Sequence, residues 1–540
     1  MTTRPSVAYF CMEYGLAPEF TIYSGGLGVL AGDYVKSAGD LHMPVTAVGI
    51  FWGEGYTHQV IGDDGKPRDH YPPTPRDRLD TLPVAVEVVI RGKRVPLQVH
   101  KVRGLARPLY LLEPARIEDR WMTQRLYHGS PGDRLAQEVI LGVGGVRALR
   151  ALGIRPQVYH FNEGHAVFAG LEMVEEARRG GALFEQALAA VRRTVVFTTH
   201  TPVAAGNEVH PLPLMREIGA CLDFSDAELE RIGGSPFSMT VAGLRLARAA
   251  NAVAELHGHT ARAMWAEVSG AAPIVAITNG VHAPTWQDAR VRAATAADKD
   301  ADSQRGQLWD AHQEMKGELL AIIRERCAVE LRGDRLLIGF ARRAAPYKRA
   351  TLIFSDPDRL DALFAADRLQ LVFAGKAHPE DHTGKELIHQ LVEASRRWPH
   401  HVVFLENYDM RLGMSLTRGC DVWLNNPRRP MEASGTSGMK AAMNGVLNMS
   451  ILDGWWPEGC RHGETGWRIG EASDHHGQEL AEGDRLDAEA LYSVLEREVL
   501  PRYEGDRAGW VEMMRASVAM AGWRFSSDRM VEDYFRSLYR

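Results

Sequence analysis

Short continuous apolar runs alternate with longer stretches of helical period along most of this chain. In the first half they include VTAVGIFW from Val45, VYHFNEG from Val158, TVVFTTHTP from Thr194 and IVAITNGV from Ile274. The second half repeats the scheme with LLIGFARR from Leu336, LQLVFAGKA from Leu369, VVFLENY from Val402 and CDVWLNNP from Cys420. Each run ends in small or polar residues and lacks alternating polar positions, as expected of strands buried on both faces. Strands alternating with helices predict an α/β fold with parallel sheets covered on both sides, as two doubly wound, Rossmann-like domains facing across a cleft. Turn residues and a proline in NGVHAPTW, between Ile277 and Arg292, precede a polar, alanine-rich helical stretch and mark the boundary. The expected domains are 1–285 and 286–522, followed by a C-terminal helical segment, 523–540. In that segment Met530, Val531, Tyr534, Leu538 and Tyr539 have amphipathic spacing. LGVGGVRALRALG, from Leu141, looks like a nucleotide fingerprint but continues the helical pattern of RLAQEVI, so it reads as helix packing.

Composition narrows the function classes. A chain of 540 residues, 45% of them hydrophobic, can bury a core in each of two domains. The net charge of −6 argues against a nucleic-acid footprint, which needs a strongly basic face. The five cysteines, Cys11, Cys221, Cys327, Cys420 and Cys460, show no CxxC spacing, which suits a reduced, cytoplasmic protein without a zinc site. No signal peptide or membrane span is expected, because no stretch approaches about 18 uninterrupted apolar residues.

In doubly wound sheets, ligands sit beyond the carboxyl ends of the strands. There the chain places Asn162, Glu163 and His165, then Thr199, His200 and Thr201, then Asn279. The second half offers Arg342 and Arg343, Lys376, Glu406, Asn407 and Tyr408, then Arg428 and Arg429. Gly25, Gly26 and Gly28 precede a helical pattern, where backbone N–H groups can approach an anion or sugar, although many such turns are only tight turns. His257 with His259, and His475 with His476, lack further ligands at metal spacing and read as surface or cap residues. FARRAAPYKRA is either a solvated charge run or a fork for phosphate oxygens, with Lys348 and Arg349 opening a helix after the Pro346–Tyr347 turn.

Lys440 stands in EASGTSGMKAAMNG, where the pattern predicts the start of a helix. A first-turn lysine opposes the helix dipole, and neighbouring cations favour its neutral amine, the form that makes a Schiff base. Free N–H groups of Thr436, Ser437 and Gly438 would hold an anion beside it. An aldehyde carrying its own phosphate, such as pyridoxal phosphate, satisfies both; an exposed helical lysine is the plainer alternative.

Read in order, IYSGGLGVLAGD, NEGHAVF, TTHTP, ITNGVH, FARRAAPYKRA, FAGKAHP, FLENYDM and EASGTSGMKAAMNG span nearly the whole chain. With these blocks the chain resembles the α-glucan (glycogen/maltodextrin) phosphorylases of the short bacterial and archaeal type. The resemblance implies a glycosyltransferase B-type fold with pyridoxal phosphate on Lys440. It implies reversible phosphorolysis of terminal α-1,4-glucosyl units to glucose 1-phosphate with retention, the cofactor's 5′-phosphate exchanging a proton with substrate phosphate. By motif, Arg343 and Lys348 bind the phosphates, with Arg342 close by; Thr436, Ser437 and Gly438 face the cofactor phosphate. Gly25 and Gly26 cover the substrate phosphate, and Glu432, Ser434, Gly435 and Asn279 hold glucose hydroxyls. His200 offers its backbone carbonyl near the anomeric centre, and His165 and Tyr408 line the cleft and cofactor pocket. Lys440, Arg343, Lys348 and His200 are thus the expected catalytic set.

Longer family members have Lys-Arg in place of Arg342-Arg343 and Gly-Asn in place of Ser437-Gly438. They also carry an N-terminal regulatory extension, so phosphorylation or nucleotide control is not expected here. A homodimer is implied by the resemblance alone, and the last helix is expected to cross back onto the first domain. Two alternatives stay open: a retaining nucleotide-sugar glucosyltransferase of the glycogen or starch synthase kind, which has no use for Lys440, and an inactive glucan-binding relative.

Overall fold

The computed structural model describes residues 4–203, 206–296, 300–474 and 479–540; His475 and His476 lie outside the described residues. The chain divides into two compact units, one of Met1–Tyr56, Tyr71–Thr278 and Ser527–Arg540, the other of Thr57–His70 and Asn279–Ser526.

Among the described residues, the first unit is built on a ten-stranded sheet. Its parallel part runs Ile274–Ala276, Ala249–Ala252, Val195–Thr198, Val158–Asn162, Val7–Phe10, Val45–Ile50, Leu109–Pro114. Lys93–Val102 joins antiparallel to the last of these and carries Val86–Ile90 and Leu79–Thr81. In Val86–Ile90 buried and exposed positions alternate, as suits a strand with one wet face, whereas Val7–Phe10 and Val158–Asn162 are buried throughout. The strand order reverses between Val7–Phe10 and Val158–Asn162, which makes their carboxyl ends the crevice of this unit.

The fingerprint-like stretch from Leu141 is helical: Pro131–Val139 passes through a π-turn, Ile140–Gly144, into Gly145–Ala151. Gly142 and Gly145 serve packing, since a Cβ there would meet Ala169 N at 2.4 Å and Phe10 Cε1 at 2.6 Å. The chain ends in the helix Ser527–Asp533 and the turn Tyr534–Leu538, whose buried Met530, Val531, Tyr534 and Leu538 join the core of this unit. Tyr539 Oη lies 2.7 Å from Tyr34 Oη and 2.8 Å from His160 Nδ1, so the tail is tied by polar as well as apolar contacts.

In the second unit the strand order is Val402–Leu405, Leu369–Ala374, Leu336–Ala341, Val422–Asn425, Leu447–Ile451, Gly466–Ile469, all parallel. The order reverses between Leu336–Ala341 and Val422–Asn425. From the long helix Ala301–Cys327, Lys316 Nζ (2.6 Å) and His312 Nε2 (2.8 Å) hold Asp421, which also accepts the Leu337 N–H (2.7 Å). That buried group fixes the register of the two strands flanking the reversal.

The units divide at Thr278/Asn279 and Ser526/Ser527 rather than at 285 and 522, and Thr57–His70 belongs to the second unit. The cause of the last difference is a hairpin, His58–Ile61 with Pro67–His70, whose polar sequence carries no apolar run. Glu406 Oε2 accepts the Ile61 N–H (2.7 Å), Lys376 donates to Thr57 O (2.8 Å), and Lys385 pairs with Asp69 (2.5 Å). Lys376 and Glu406, expected as ligand residues, are thus engaged on the hairpin. No helix among the described residues is long and apolar enough to cross a membrane.

Candidate active site

Arg342 and Arg343 leave the carboxyl end of Leu336–Ala341. Arg342 is nearly buried and its NH2 donates to Glu432 Oε2 (2.6 Å), while its Nε and NH1 are buried with no hydrogen-bond partner among the described residues. Lys348 closes the 3-10 turn Pro346–Lys348 and donates to both Glu432 oxygens, at 2.8 and 2.6 Å. It does not open a helix: Arg349 follows in the left-handed region (φ 52°) and turns inward to Asn426 O, Pro427 O and Asp484. Arg343 is exposed, and its charge acts on Lys348 from nearby.

Burial, helped by Arg342, lowers the Lys348 ammonium to about 7. Burial would raise Glu432, but Arg342 and Lys348 outweigh it and hold the carboxyl at about 2. Asp453, after Leu447–Ile451, accepts the Glu432 N–H on Oδ2 (2.9 Å) and the Gly454 N–H on Oδ1 (2.8 Å). Burial and the Glu432 charge push Asp453 up to about 7. Glu432 is therefore fixed at its backbone by one acid and at its side chain by two cations.

The helix carrying Lys440 runs Thr436–Met443 after Gly435, whose φ of 84° suits glycine. Lys440 therefore stands in the last turn, where the dipole favours a cation, and the first-turn expectation is corrected. Its side chain is 7% exposed, with Nζ 3.6 Å from the centroid of the Trp286 ring. Trp286 fixes the far end as well: its carbonyl accepts from Asn444 Nδ2 (3.0 Å), which also donates to Lys440 O (2.8 Å).

The Gly438 N–H is already used, donating to Gly435 O (3.2 Å), so of the three expected anion donors Thr436 and Ser437 remain. Ser437 Oγ accepts from Trp423 Nε1 (3.2 Å). An asparagine at Gly438 would put its Cβ 2.6 Å from Asn448 Oδ1; here Asn448 donates to Gly438 O (2.9 Å). Ser434 Oγ is buried without a hydrogen-bond partner among the described residues. Tyr408, raised to about 12 by burial and Asp409, packs on the apolar cluster under this helix, and Asn279 is buried. Arg428 and Arg429 pair with Asp484 (2.5 Å) and Asp474 (2.6 Å).

The first unit gathers a different set. His200 donates from Nε2 to Asn162 Oδ1 (2.7 Å), and its backbone N–H goes to Glu163 Oε2 (2.7 Å). Glu163 holds φ at 77°, an uncommon value for a side-chain-bearing residue, and also caps Gly164 N–H (3.1 Å). Burial first, then nearby His257 and His165, lower His200 to about 3; burial and Arg134 lower His165 to about 4. His165 Nδ1 is buried without a partner among the described residues. Gly25 and Gly26 open the helix Gly26–Asp40, but the N–H groups of Ser24 (2.6 Å) and Gly25 (3.4 Å) point to buried Glu13. The Gly25 N–H therefore does not await an external anion. Of the paired histidines, His257 accepts the Val253 N–H (3.2 Å) at a helix start.

A family model described as carbohydrate phosphorylase matches residues 264–457, the span that holds Trp286, Arg342, Lys348, Glu432 and Lys440. The chain is 38% identical to the maltodextrin phosphorylase of Thermococcus litoralis, over 99% of this chain and 70% of that protein. It is 39% identical to the glycogen phosphorylase of Mycobacterium tuberculosis strain CDC 1551, again over 99% and 70%, and 34% identical to that of Aquifex aeolicus, over 100% and 86%. The chain belongs to the carbohydrate phosphorylase family. Reading this carbohydrate phosphorylase by sequence missed Glu13, Asp453 and Trp286. Trp286 lies in the stretch read as a boundary, and Asp453 ends an apolar run; LDG after such a run was the signal for a strand-end acid. Nothing beside Glu13 in CMEYG marks it, because its partners come from elsewhere in the chain.

Proposed function

We propose that this carbohydrate phosphorylase is an α-1,4-glucan phosphorylase, a glycosyltransferase that releases glucose 1-phosphate reversibly and with retention, using pyridoxal phosphate on Lys440. The observation that carries the reading is a buried cationic cluster with donors to spare, on the same sheet edge as a buried lysine. The residues fit the cofactor: Arg342 has two buried donors without acceptors, Thr436 and Ser437 stand at a helix start, and Lys440 is shielded on Trp286. Lys440 would hold it covalently, and Lys348, Thr436, Ser437 and Tyr408 would surround it. Bound there, it supplies a phosphate that exchanges a proton with the substrate phosphate.

The chain's own residues do the rest. Arg342, Arg343 and Lys348 bind and orient oxyanions, as charge-assisted donors do best in a desolvated site. An oxyanion on Lys348 and Arg342 competes with Glu432 for them, which frees the Glu432 carboxylate to accept sugar hydroxyls alongside Ser434 and Gly435. Asp453 keeps the Glu432 backbone in place during that exchange. Glu163 and Asn162 fix the His200 backbone and ring, so its carbonyl dipole is preorganised for positive charge developing on the sugar. His165, Asn279 and Gly26 complete the proposed sugar and phosphate contacts. A cytoplasmic setting belongs to the same proposal, supported by five cysteines that are all free thiols.

Borohydride reduction of the purified protein, followed by peptide mass spectrometry, should find a pyridoxyl phosphate adduct on Lys440, and maltodextrin should release glucose 1-phosphate only with phosphate present. An unmodified Lys440 after incubation with pyridoxal phosphate would sink the cofactor assignment. Transfer from a nucleotide sugar without phosphate would favour the synthase-like alternative.

A further inference from the structure

A second polar cluster in the first unit takes no part in that chemistry. The helix Pro131–Val139 turns Glu138 fully inward, 0% exposed, and neither carboxylate oxygen accepts a hydrogen bond among the described residues. His210, on the short strand Val209–His210, is also buried, and its Nε2 has no hydrogen-bond partner among the described residues. That nitrogen lies 3.3 Å from Glu138 Oε2 and 3.8 Å from Glu208 Oε1. One ligand atom from each of the three residues can be chosen so that all lie within 4.8 Å of one another.

Buried polar atoms are almost always satisfied, and an unpaired buried carboxylate is strongly disfavoured. Two things could close this cluster. A proton shared between Glu138 and Glu208, with Arg134 NH2 3.9 Å from Glu138 Oε1, would satisfy the carboxyl pair but leave His210 Nε2, 3.3 Å from Glu138 Oε2, outside hydrogen-bond geometry. A metal ion would satisfy all three atoms at once. Tetrahedral ligands at about 2.0–2.2 Å from zinc stand roughly 3.3–3.6 Å apart, against the separations of 3.3 and 3.8 Å here. One imidazole nitrogen with two carboxylate oxygens suits zinc or a neighbouring transition metal better than calcium or magnesium, which take oxygen-rich sets.

We propose that Glu138, Glu208 and His210 bind a divalent transition-metal ion of the zinc class, pinning the segment Glu208–His210 to the helix Pro131–Val139. The two carboxylates balance the charge of the ion. Arg134 NH2 donates to Glu208 Oε2 (3.3 Å), the oxygen not facing His210, and lies 3.9 Å from Glu138 Oε1, so it ties the two acids together as an outer partner of the ligand set. Its positive charge opposes the cation only in part, since Glu138, Glu208 and Arg134 together still carry −1 when both acids are ionised. Sequence spacing cannot show the site, because Glu138 and His210 lie on distant elements.

The test uses the full chain, stripped with EDTA and then dialysed against zinc or manganese. Elemental analysis should find about one equivalent of zinc per chain, with a higher melting temperature than the stripped protein. Glu138→Gln and His210→Ala should each lose the metal and the melting shift, and Glu138→Gln, an isostere of the protonated acid, should melt close to stripped wild type. Zinc-edge X-ray absorption on wild type gives a readout independent of the variants, and should show nitrogen and oxygen neighbours only. Three results would overturn the site: no metal retained and no shift, equal retention by both variants, or sulfur around the zinc. The first would leave the shared proton as the cluster's closure.

Discussion

In the first unit, the polar residues beyond the central strands are turned on one another: His200 to Asn162, Glu163 to the His200 N–H, Glu13 to the glycine turn. His200 at about 3 and His165 at about 4 are uncharged at neutral pH. At the equivalent place in the second unit the residues are cations, Arg342 and Lys348, sharing one carboxylate, with Arg342 donors left over. Both clusters sit where the strand order reverses, so topology does not explain the difference. What differs is the ligand each can stabilise. Fixed donors and acceptors without a free cation recognise hydroxyl groups, whereas desolvated cations with spare donors call for an oxyanion. The proposed reaction needs one set of each kind, and mutations can test the division of labour.

The largest effect is expected at Lys440. Lys440→Ala removes the amine over Trp286 and should abolish the borohydride-trapped adduct, with phosphorolysis down by on the order of 10³-fold or more. Circular dichroism should be unchanged. Retained adduct formation would mean that another lysine carries the cofactor.

Next is Glu432→Gln, where the two roles of one carboxylate pull apart. Loss of a charged acceptor for sugar hydroxyls should lower kcat/KM for maltodextrin by about 10²-fold. Arg342 and Lys348, relieved of their intramolecular anion, should bind sulfate more tightly than wild type, as calorimetry can measure. If sulfate binding weakens instead, Glu432 organises the cations rather than competing for them.

Lys348 gives a pH test. Its amine is charged below about 7 and neutral above, and a bound oxyanion favours the charged form, so anion binding above that pH must take up a proton. Sulfate, which does not titrate there, should therefore bind more weakly as pH rises from about 7 to 9, by up to about tenfold per unit. In Lys348→Arg that slope should vanish, because guanidinium stays charged. An unchanged slope would assign the proton to another group.

These tests rest on contacts that were unequally legible in the chain. Val158–Asn162 and Leu336–Ala341 stand out as strands because a sheet buried on both faces demands unbroken apolar runs. The strand Ala249–Ala252 reads AANA and did not stand out, since small residues suffice where helices pack closely; the hairpin from His58 is polar because its outer face is wet. Strand-end residues such as Arg342, Lys348 and Glu432 were legible as candidates, but their mutual pairing was not, because it depends on where a distant loop returns. Lys440 shows the converse. The residue was legible, yet the dipole argument placed it in the wrong turn: the helix begins at Thr436, as the expected N–H donors require, but already ends at Met443, so Lys440 falls in its last turn.

The smallest effect is expected at Gly26, and it bears most directly on whether the first unit touches phosphate at all. A Cβ at Gly26 meets nothing within 4 Å, so Gly26→Ala should leave stability unchanged or raise it by about 0.5 kcal/mol through reduced freedom of the unfolded chain. At Gly28 a Cβ would stand 2.6 Å from Glu13 Oε2 and 2.8 Å from Tyr23 Cβ, so Gly28→Ala should cost about 1–3 kcal/mol. The pair therefore separates packing from ligand approach within one turn. If Gly26→Ala melts like wild type yet raises the KM for phosphate several-fold, the methyl group is meeting the ligand. An unchanged KM in a stable Gly26→Ala would make the turn, with its N–H groups directed at Glu13, a packing element, and would assign oxyanion binding to the second unit alone.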